Sequence, residues 1–174
     1  MAACVESGLA RAIGVSNFGQ ADMLRAYSAL ARRNIPLASN QLHYSLLMRR
    51  VEKNGLLARC QELGIRLIAY SPLEMGLLTG KYGAGTPPPG SRGLRYASLA
   101  GRIGPLLFLM TKIGQDHGGK SNAQVALNWV IAKGALPIPG AKNAKQALEN
   151  SGALGWMLAP DEVAVLDRAS DELN

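Results

Sequence analysis

Four places along the chain set hydrogen-bonding or basic side chains at the end of an apolar run. Ser16 and Asn17 close the first run, Asn40 and Gln41 interrupt the second, Tyr70 and Ser71 end the third, and Gly140, Lys142 and Asn143 follow the fourth. Ser16, Asn17 and Gln41 can donate to and accept from a planar amide, and Tyr70 offers a flat face for stacking. Gly140 lets a ligand approach the backbone closely. Asn143 with Gln146 three residues on reads as a helix cap that leaves first-turn amides aimed at an anion, with Lys142 and Lys145 adding positive charge beside them. The chemistry in prospect is hydrogen bonding to a planar amide, stacking on a flat ring and the holding of an anion. Strand ends in any α/β protein also carry polar caps, so the residue types leave both a ligand site and an ordinary connector open.

The elements that would position these residues repeat one pattern, a short apolar run, a polar turn and a helically spaced segment. ARAIGVSNF (10–18) reads as a strand, followed by a helix with the stripe Met23, Leu24, Tyr27, Leu30 and Ala31. IPLASNQLHY (35–44) is the second strand, and the spacing predicts one helix from Val51 to Leu63, closed by Gly64. IRLIAYSPL (65–73) is apolar almost throughout, as expected of a parallel strand buried on both faces. The fourth strand, ALPIPG (135–140), follows a helix opened by the capping box Ser121 and Gln124. A last helix over 160–173 opens with Pro160, Asp161 and Glu162, where a missing amide costs least and negative charge meets the positive helix end. Between the third and fourth strands lies an irregular, Gly- and Pro-rich loop, 74–95, of a length that in compact domains is functional or disordered.

Strands alternating with helices imply parallel βαβ units, either an open doubly wound sheet or a barrel. The nearest approach to a dinucleotide fingerprint, Gly83-Ala84-Gly85-Thr86-Pro87-Pro88, fails at its last position and follows no strand. A tyrosine with lysine four residues later is absent at all five tyrosines. Both observations disfavour the doubly wound nucleotide folds. In a barrel, ligands bind at the C-terminal ends of the strands, where the polar residues above collect.

Composition narrows the function classes. The 174 residues are 48% hydrophobic and 18% charged, as in a soluble globular domain, and no segment reaches the roughly 18 to 20 apolar residues of a membrane span. A net charge of +7 is spread from Arg11 to Arg168 in short pairs without interleaved aromatics, so neither nucleic acid nor membrane is expected as a partner; a phosphorylated small molecule suits the charge. Cys4 and Cys60 make no disulfide framework or metal motif and read as free thiols in a reducing compartment, Cys60 on the apolar face of Leu56 and Leu63. No metal site is expected. His43 reads as a pocket-rim or packing residue, and His117, in the polar segment QDHGGK, as solvated.

Taken together, IGVSNF (13–18), NQLHYSLL (40–47), IAYSPLEMGLLTGKY (68–82), QVALNWV (124–130) and PIPGAKNAKQALEN (137–150) resemble the C-terminal half of the aldo-keto reductases, NADP-dependent (β/α)8 barrel enzymes. The resemblance covers residues 1–174 and is strongest to the plant plastid-type branch, itself similar to potassium-channel beta subunits. It implies a TIM-barrel type fold of which the last four βα units, a half-barrel, are present, with 74–95 as a cofactor-covering loop. It also implies NADPH as cofactor and reduction of aldehydes or ketones by hydride transfer.

By this resemblance Ser16, Asn17 and Gln41 hold the nicotinamide carboxamide and Tyr70 stacks on its ring. Ser71, Pro72, Leu73 and Gly76 line the pyrophosphate, with Lys81 on the loop folding over the cofactor. Gly140, Ala141, Lys142 and Gln146 meet the adenosine ribose and its 2'-phosphate, and Glu149 and Asn150 the adenine. Many family members carry a basic residue directly after the Ile-Pro pair and an arginine six positions later; here those positions are Gly140 and Gln146, so the preference for NADP over NAD rests on Lys142, helped by Lys145. The family's catalytic aspartate, tyrosine, lysine and histidine belong to the first four strands, which precede Met1 in the alignment of motifs, so no catalytic residue is expected here and the chain alone is expected to be inactive. A cofactor-sensing or interaction module, or a truncated product, would share the same residues. Open barrel edges imply self-association, and the resemblance points to chloroplast or cytoplasm.

Overall fold

The four apolar runs become four strands, β1 (Ile13–Ser16), β2 (Leu37–His43), β3 (Arg66–Tyr70) and β4 (Leu136–Ile138). The computed structural model of the chain describes residues 1–82, 86 and 98–173. The strands form one sheet in the order β1-β2-β3-β4, and every neighbouring pair is parallel. Each strand lies beside the next one in sequence and the order never reverses, as in a TIM barrel and unlike the switch point of a doubly wound sheet. In this sheet β1 and β4 are the edges.

Helices fill the connections: α1 (Ala2–Glu6), α2 (Gln20–Ala31), α3 (Arg50–Lys53), α4 (Leu56–Glu62), α5 (Gly104–Asp116), α6 (Asn122–Ala132), α7 (Ala144–Ser151) and α8 (Pro160–Asp171). The predicted caps form: Ser121 Oγ accepts from the Gln124 amide while Gln124 Oε1 accepts from the Ser121 amide. At α8, Pro160 occupies the first turn and the Glu162 carboxylate accepts from the Ala159 amide at 2.7 Å. The single helix expected over Val51 to Leu63 is instead two. Gly55 turns left-handed at φ 77°, and Asn54 Oδ1 accepts from the Leu56 amide, so α4 starts afresh after α3.

Alternation along β3 separates two faces. Leu67 and Ala69 are buried in a core shared with Met23 of α2, Leu57 and Cys60 of α4 and Trp129 of α6. The opposite row is only partly covered: Ile68 and Tyr70 are half-buried, and their register partners on β4, Leu136 and Ile138, are 50% and 42% exposed. The expectation that β3 is buried on both faces therefore holds for its helix side only. The other side is the concave row of a barrel-type sheet, on which Ser16, Gln41, His43 and Tyr70 also fall by register.

A charged cluster joins α3, α6 and α8 behind this core. Lys133 Nζ lies 2.6 Å from both Glu52 Oε1 and Asp167 Oδ2, Arg49 Nε bonds Glu52 at 2.9 Å, and Trp129 Nε1 donates to Asp167 at 2.9 Å. Arg49, 7% exposed, also donates to the Asp167 carbonyl, and the Tyr44 hydroxyl donates to Glu52. Arg49 Nη1 also lies 3.3 Å from Asp171, which Lys53 Nζ meets at 2.8 Å. Three cations thus face three carboxylates, the partly buried ones hydrogen-bonded as well as paired, the condition under which buried charge is tolerated.

Candidate cofactor site

Because all four strands run the same way, their C-terminal ends share one edge of the sheet. Ser16 pairs in register with Gln41, His43 with Tyr70, and Tyr70 with Ile138, so Gly140 follows two residues beyond the Tyr70 level. Parallel pairing alone brings together residues separated by more than a hundred positions in the chain.

The first three ends interlock. Ser16 Oγ donates to the Gln41 carbonyl at 3.2 Å, and the Asn17 amide donates to the same oxygen at 2.9 Å. Asn17 sits at φ 57°, a left-handed conformation that asparagine tolerates better than most residues. Its Oδ1 accepts from the Tyr70 hydroxyl at 3.1 Å. The Gln41 side-chain amide makes no hydrogen bond among the described residues, and the Asn17 Nδ2 is likewise unused. Asn40, fully buried beside them, donates to the Phe18 carbonyl at 2.9 Å, while its Oδ1 has no partner among the described residues.

After Tyr70 the chain passes through an unusual run of left-handed residues. Ser71, Glu74 and Met75 have φ of 51°, 45° and 52°, and Gly76 reaches 98°. Positive φ at non-glycine residues stores backbone strain and persists only where surrounding contacts enforce it. A β-carbon at Gly76 would come within 3.2 Å of the Tyr82 ring, so both conformation and space favour glycine there. Residues 74–79 of the predicted irregular loop make tight turns broken by a kink at Met75 and Gly76 rather than one continuous helix; Thr79 Oγ1 donates to the Gly76 carbonyl and accepts from the Lys81 amide, and Lys81 Nζ lies over the Tyr82 ring. The stretches 83–85 and 87–95, with the Gly83 to Pro88 motif apart from Thr86, lie outside the described residues.

At the fourth end, Asn143 Oδ1 accepts from the Gln146 amide at 3.0 Å, the predicted cap of α7. Gln146 Oε1 in turn accepts from the Lys142 amide at 2.7 Å, and Asn150 Nδ2 from the same helix reaches the Gly140 carbonyl at 3.3 Å. The first-turn amides of Ala144 and Lys145 have no intrahelical partner by helix geometry. Lys142 and Lys145 are exposed and make no ion pair among the described residues, and a β-carbon added at Gly140 would meet nothing within 4 Å. Glu149 accepts from Ser121 Oγ, which ties the far side of α7 to the start of α6.

Sequence reasoning missed Glu74. It is 3% exposed, accepts from Ser45 Oγ at 2.8 Å and meets His43 Nε2 at 2.6 Å. Its one sequence signal is an acidic residue opening a glycine-rich loop directly after a strand. The solvated reading of His117 is corrected: its Nε2 meets both Glu162 oxygens at 2.9 Å and its ring packs on Trp156, because α5 ends beside the start of α8. Among the described residues no group of three or more His, Cys, Asp or Glu could hold a metal ion, and no helix is long and apolar enough to cross a membrane.

This edge can be compared with known proteins. Over 167 residues the chain is 44% identical to the chloroplastic pyridoxal reductase of Arabidopsis thaliana, covering 96% of this chain and 46% of that protein. It is 35% identical to the L-glyceraldehyde 3-phosphate reductase of Escherichia coli K12, covering 54% of it. The chain thus spans about half the length of the curated relatives it matches. Among solved structures, the glycerol dehydrogenase of Gluconobacter oxydans superposes with a TM-score of 0.82 at 26% identity, covering 98% of this chain and 52% of that one. A thermostable aldo-keto reductase crystallised with the inhibitor epalrestat superposes at 0.75 with 29% identity, over 97% of this chain and 52% of its own. The family model for the aldo/keto reductases matches residues 1–171. A barrel-ordered parallel sheet and a match running nearly end to end agree, and the chain belongs to the aldo/keto reductase family.

Proposed function

We propose that this chain is the NADP(H)-holding portion of an aldo-keto reductase that reduces an aldehyde or ketone to an alcohol. The observation that carries the reading is the spacing of two complementary sets along one sheet edge. Among the described residues the Asn17 Nδ2 and the Gln41 side-chain amide, near Tyr70 at one end, and the ammonium groups of Lys142 and Lys145, at the start of α7 at the other, have no hydrogen-bond or ion-pair partner. An extended molecule with a carboxamide ring at one end and a phosphate-bearing nucleoside at the other fits that arrangement.

In this reading Ser16, Asn17 and Gln41 orient the nicotinamide carboxamide, and Tyr70 packs on the ring. Ser71, Pro72, Leu73 and Gly76 pass the pyrophosphate, with Lys81 adding charge beside it. Gly140 and Ala141 let the backbone approach the ribose, Lys142 and Gln146 meet its 2'-phosphate, and Glu149 and Asn150 flank the adenine. When bound, the cofactor supplies hydride to the carbonyl carbon. The group that protonates the carbonyl oxygen is proposed to come from outside these 174 residues. In support, Tyr44 is buried against Glu52, where burial and that carboxylate push its hydroxyl well above the ordinary tyrosine value. The half-exposed concave face and the edges β1 and β4 would then seat a complementary half-barrel or a second copy.

The test is titration of the purified chain with NADPH and NADH, followed by cofactor fluorescence. Lys142→Ala is expected to weaken NADPH about tenfold, the order of one charge-assisted hydrogen bond, and NADH far less. Equal loss for the two would overturn the 2'-phosphate assignment, and ordinary turnover of an aldehyde by the chain alone would overturn the external acid.

A further inference from the structure

Tyr70 is held from more than one side. His43, its register partner on β2, lies ring to ring with it at 5.1 Å between centroids and 16° between planes. His43 in turn meets Glu74 Oε1 at 2.6 Å, and the same oxygen accepts from the buried Ser45 Oγ. Glu74 is itself fixed at φ 45° within the strained run that follows β3. On the other side, the Tyr70 hydroxyl is tied to Asn17 of the β1 end. A relay of contacts, Glu74 to His43 to Tyr70 to Asn17, therefore crosses the ends of three strands.

A buried carboxylate in a strained conformation needs a compensating contact, and here its partners are a half-buried imidazole and a hydroxyl. The arrangement is not explained by core packing, since His43 stands on the concave row with Gln41 and Tyr70 rather than on the helix side. We infer that His43 and Glu74 are positioning residues for Tyr70: Glu74 anchors the His43 ring, and His43 backs the tyrosine so that its plane is set before a nicotinamide arrives. Neither residue is given contact with the cofactor or a share in proton transfer. The strained turn is thereby coupled to the ring that receives the nicotinamide, because Glu74 belongs to the turn and Tyr70 to the strand. This inference rests on the cofactor reading above and deepens it, assigning the nicotinamide end a support that the adenosine end does not share.

That asymmetry supplies the experiment. The intact chain and its variants His43→Ala, His43→Phe and Glu74→Ala are titrated calorimetrically with NADPH and with 2',5'-ADP, which carries the adenosine end and no nicotinamide. Pre-ordering one stacked ring predicts that His43→Ala and Glu74→Ala weaken NADPH about fivefold and leave 2',5'-ADP within about twofold. His43→Phe, which keeps a flat ring behind Tyr70 without the tie to Glu74, is expected to recover part of the His43→Ala loss. Unchanged NADPH affinity in both alanine variants would overturn the inference while leaving the cofactor reading intact. Parallel loss of both ligands would also overturn it, by showing a general structural role. An unaltered chain that binds neither ligand would instead overturn the cofactor reading, and the inference with it.

Discussion

The side chain of Gln146 turns back toward the β4 end, and its Oε1 accepts a hydrogen bond from the Lys142 backbone amide at 2.7 Å. One helix residue thereby fixes the backbone beneath the lysine proposed to read the 2'-phosphate, while its own amide is capped by Asn143.

Gln146→Glu retains an acceptor for the Lys142 amide but brings a negative charge to the start of α7. NADPH affinity is expected to fall about tenfold and NADH affinity by much less, since one like charge beside a phosphate costs on the order of 1 kcal/mol at an exposed site. Parallel titrations with the two cofactors check this.

Asn128 is fully buried and uses its whole amide group. Its Nδ2 donates to the Ala153 and Trp156 carbonyls and its Oδ1 accepts from the Leu158 amide, all at 2.9 Å, so it anchors the connection from α7 to α8. Asn128→Ala strands three backbone groups and is expected to destabilise the chain by about 2–4 kcal/mol in urea unfolding. A loss under about 0.5 kcal/mol would show that solvent replaces these bonds.

Glu52 predicts an acid-side loss of stability. Burial alone would raise its pKa, but hydrogen bonds from Arg49 and Lys133 outweigh burial and hold it below the ordinary value of 4.5. The folded value is lower than the unfolded one, so the contribution is fully present above about pH 4.5 and is lost as pH falls through the depressed value. The thermal midpoint should therefore drop as pH falls below about 4.5. Glu52→Gln should lower the midpoint at neutral pH and flatten the acid slope. An identical slope in the variant would assign it to other carboxylates.

The thiols should differ sharply. Cys60 is fully buried against Met23, and burial pushes its pKa up to about 11, whereas Cys4 is exposed. At pH 8 a disulfide reagent should modify one thiol per folded chain, with the second appearing only in denaturant. Two fast equivalents would contradict the packing of α2 against α4.

Much of the fold was legible because it depends on local patterns. Runs such as IRLIAYSPL can be read as strands without tertiary information, and Ser121 with Gln124 or Pro160 with Glu162 mark helix starts through bonds only three residues long. The Val51 to Leu63 segment was misread because its apolar spacing continues across a break that Asn54 and a left-handed Gly55 impose. Residues grouped at the strand ends, such as Ser16, Gln41 and Tyr70, could be anticipated because parallel βα units place every C-terminal end on one edge. The partners of His43 and His117 could not: each histidine meets a glutamate 31 or 45 positions away, joined only by packing.

The sequence by itself determined which segments alternate as strand and helix, where helices are capped, and which polar types end each run, since hydrophobic period and short-range hydrogen bonds act within a few residues. Only the tertiary structure decided the strand order, the half-exposed concave row, the charged cluster built around Arg49, Lys133, Glu52 and Asp167, and the seating of Glu74 against His43, which in turn backs Tyr70. Those features join residues distant in the chain, and their energies arise from burial and from partners that exist only once the strands have paired and the helices have packed.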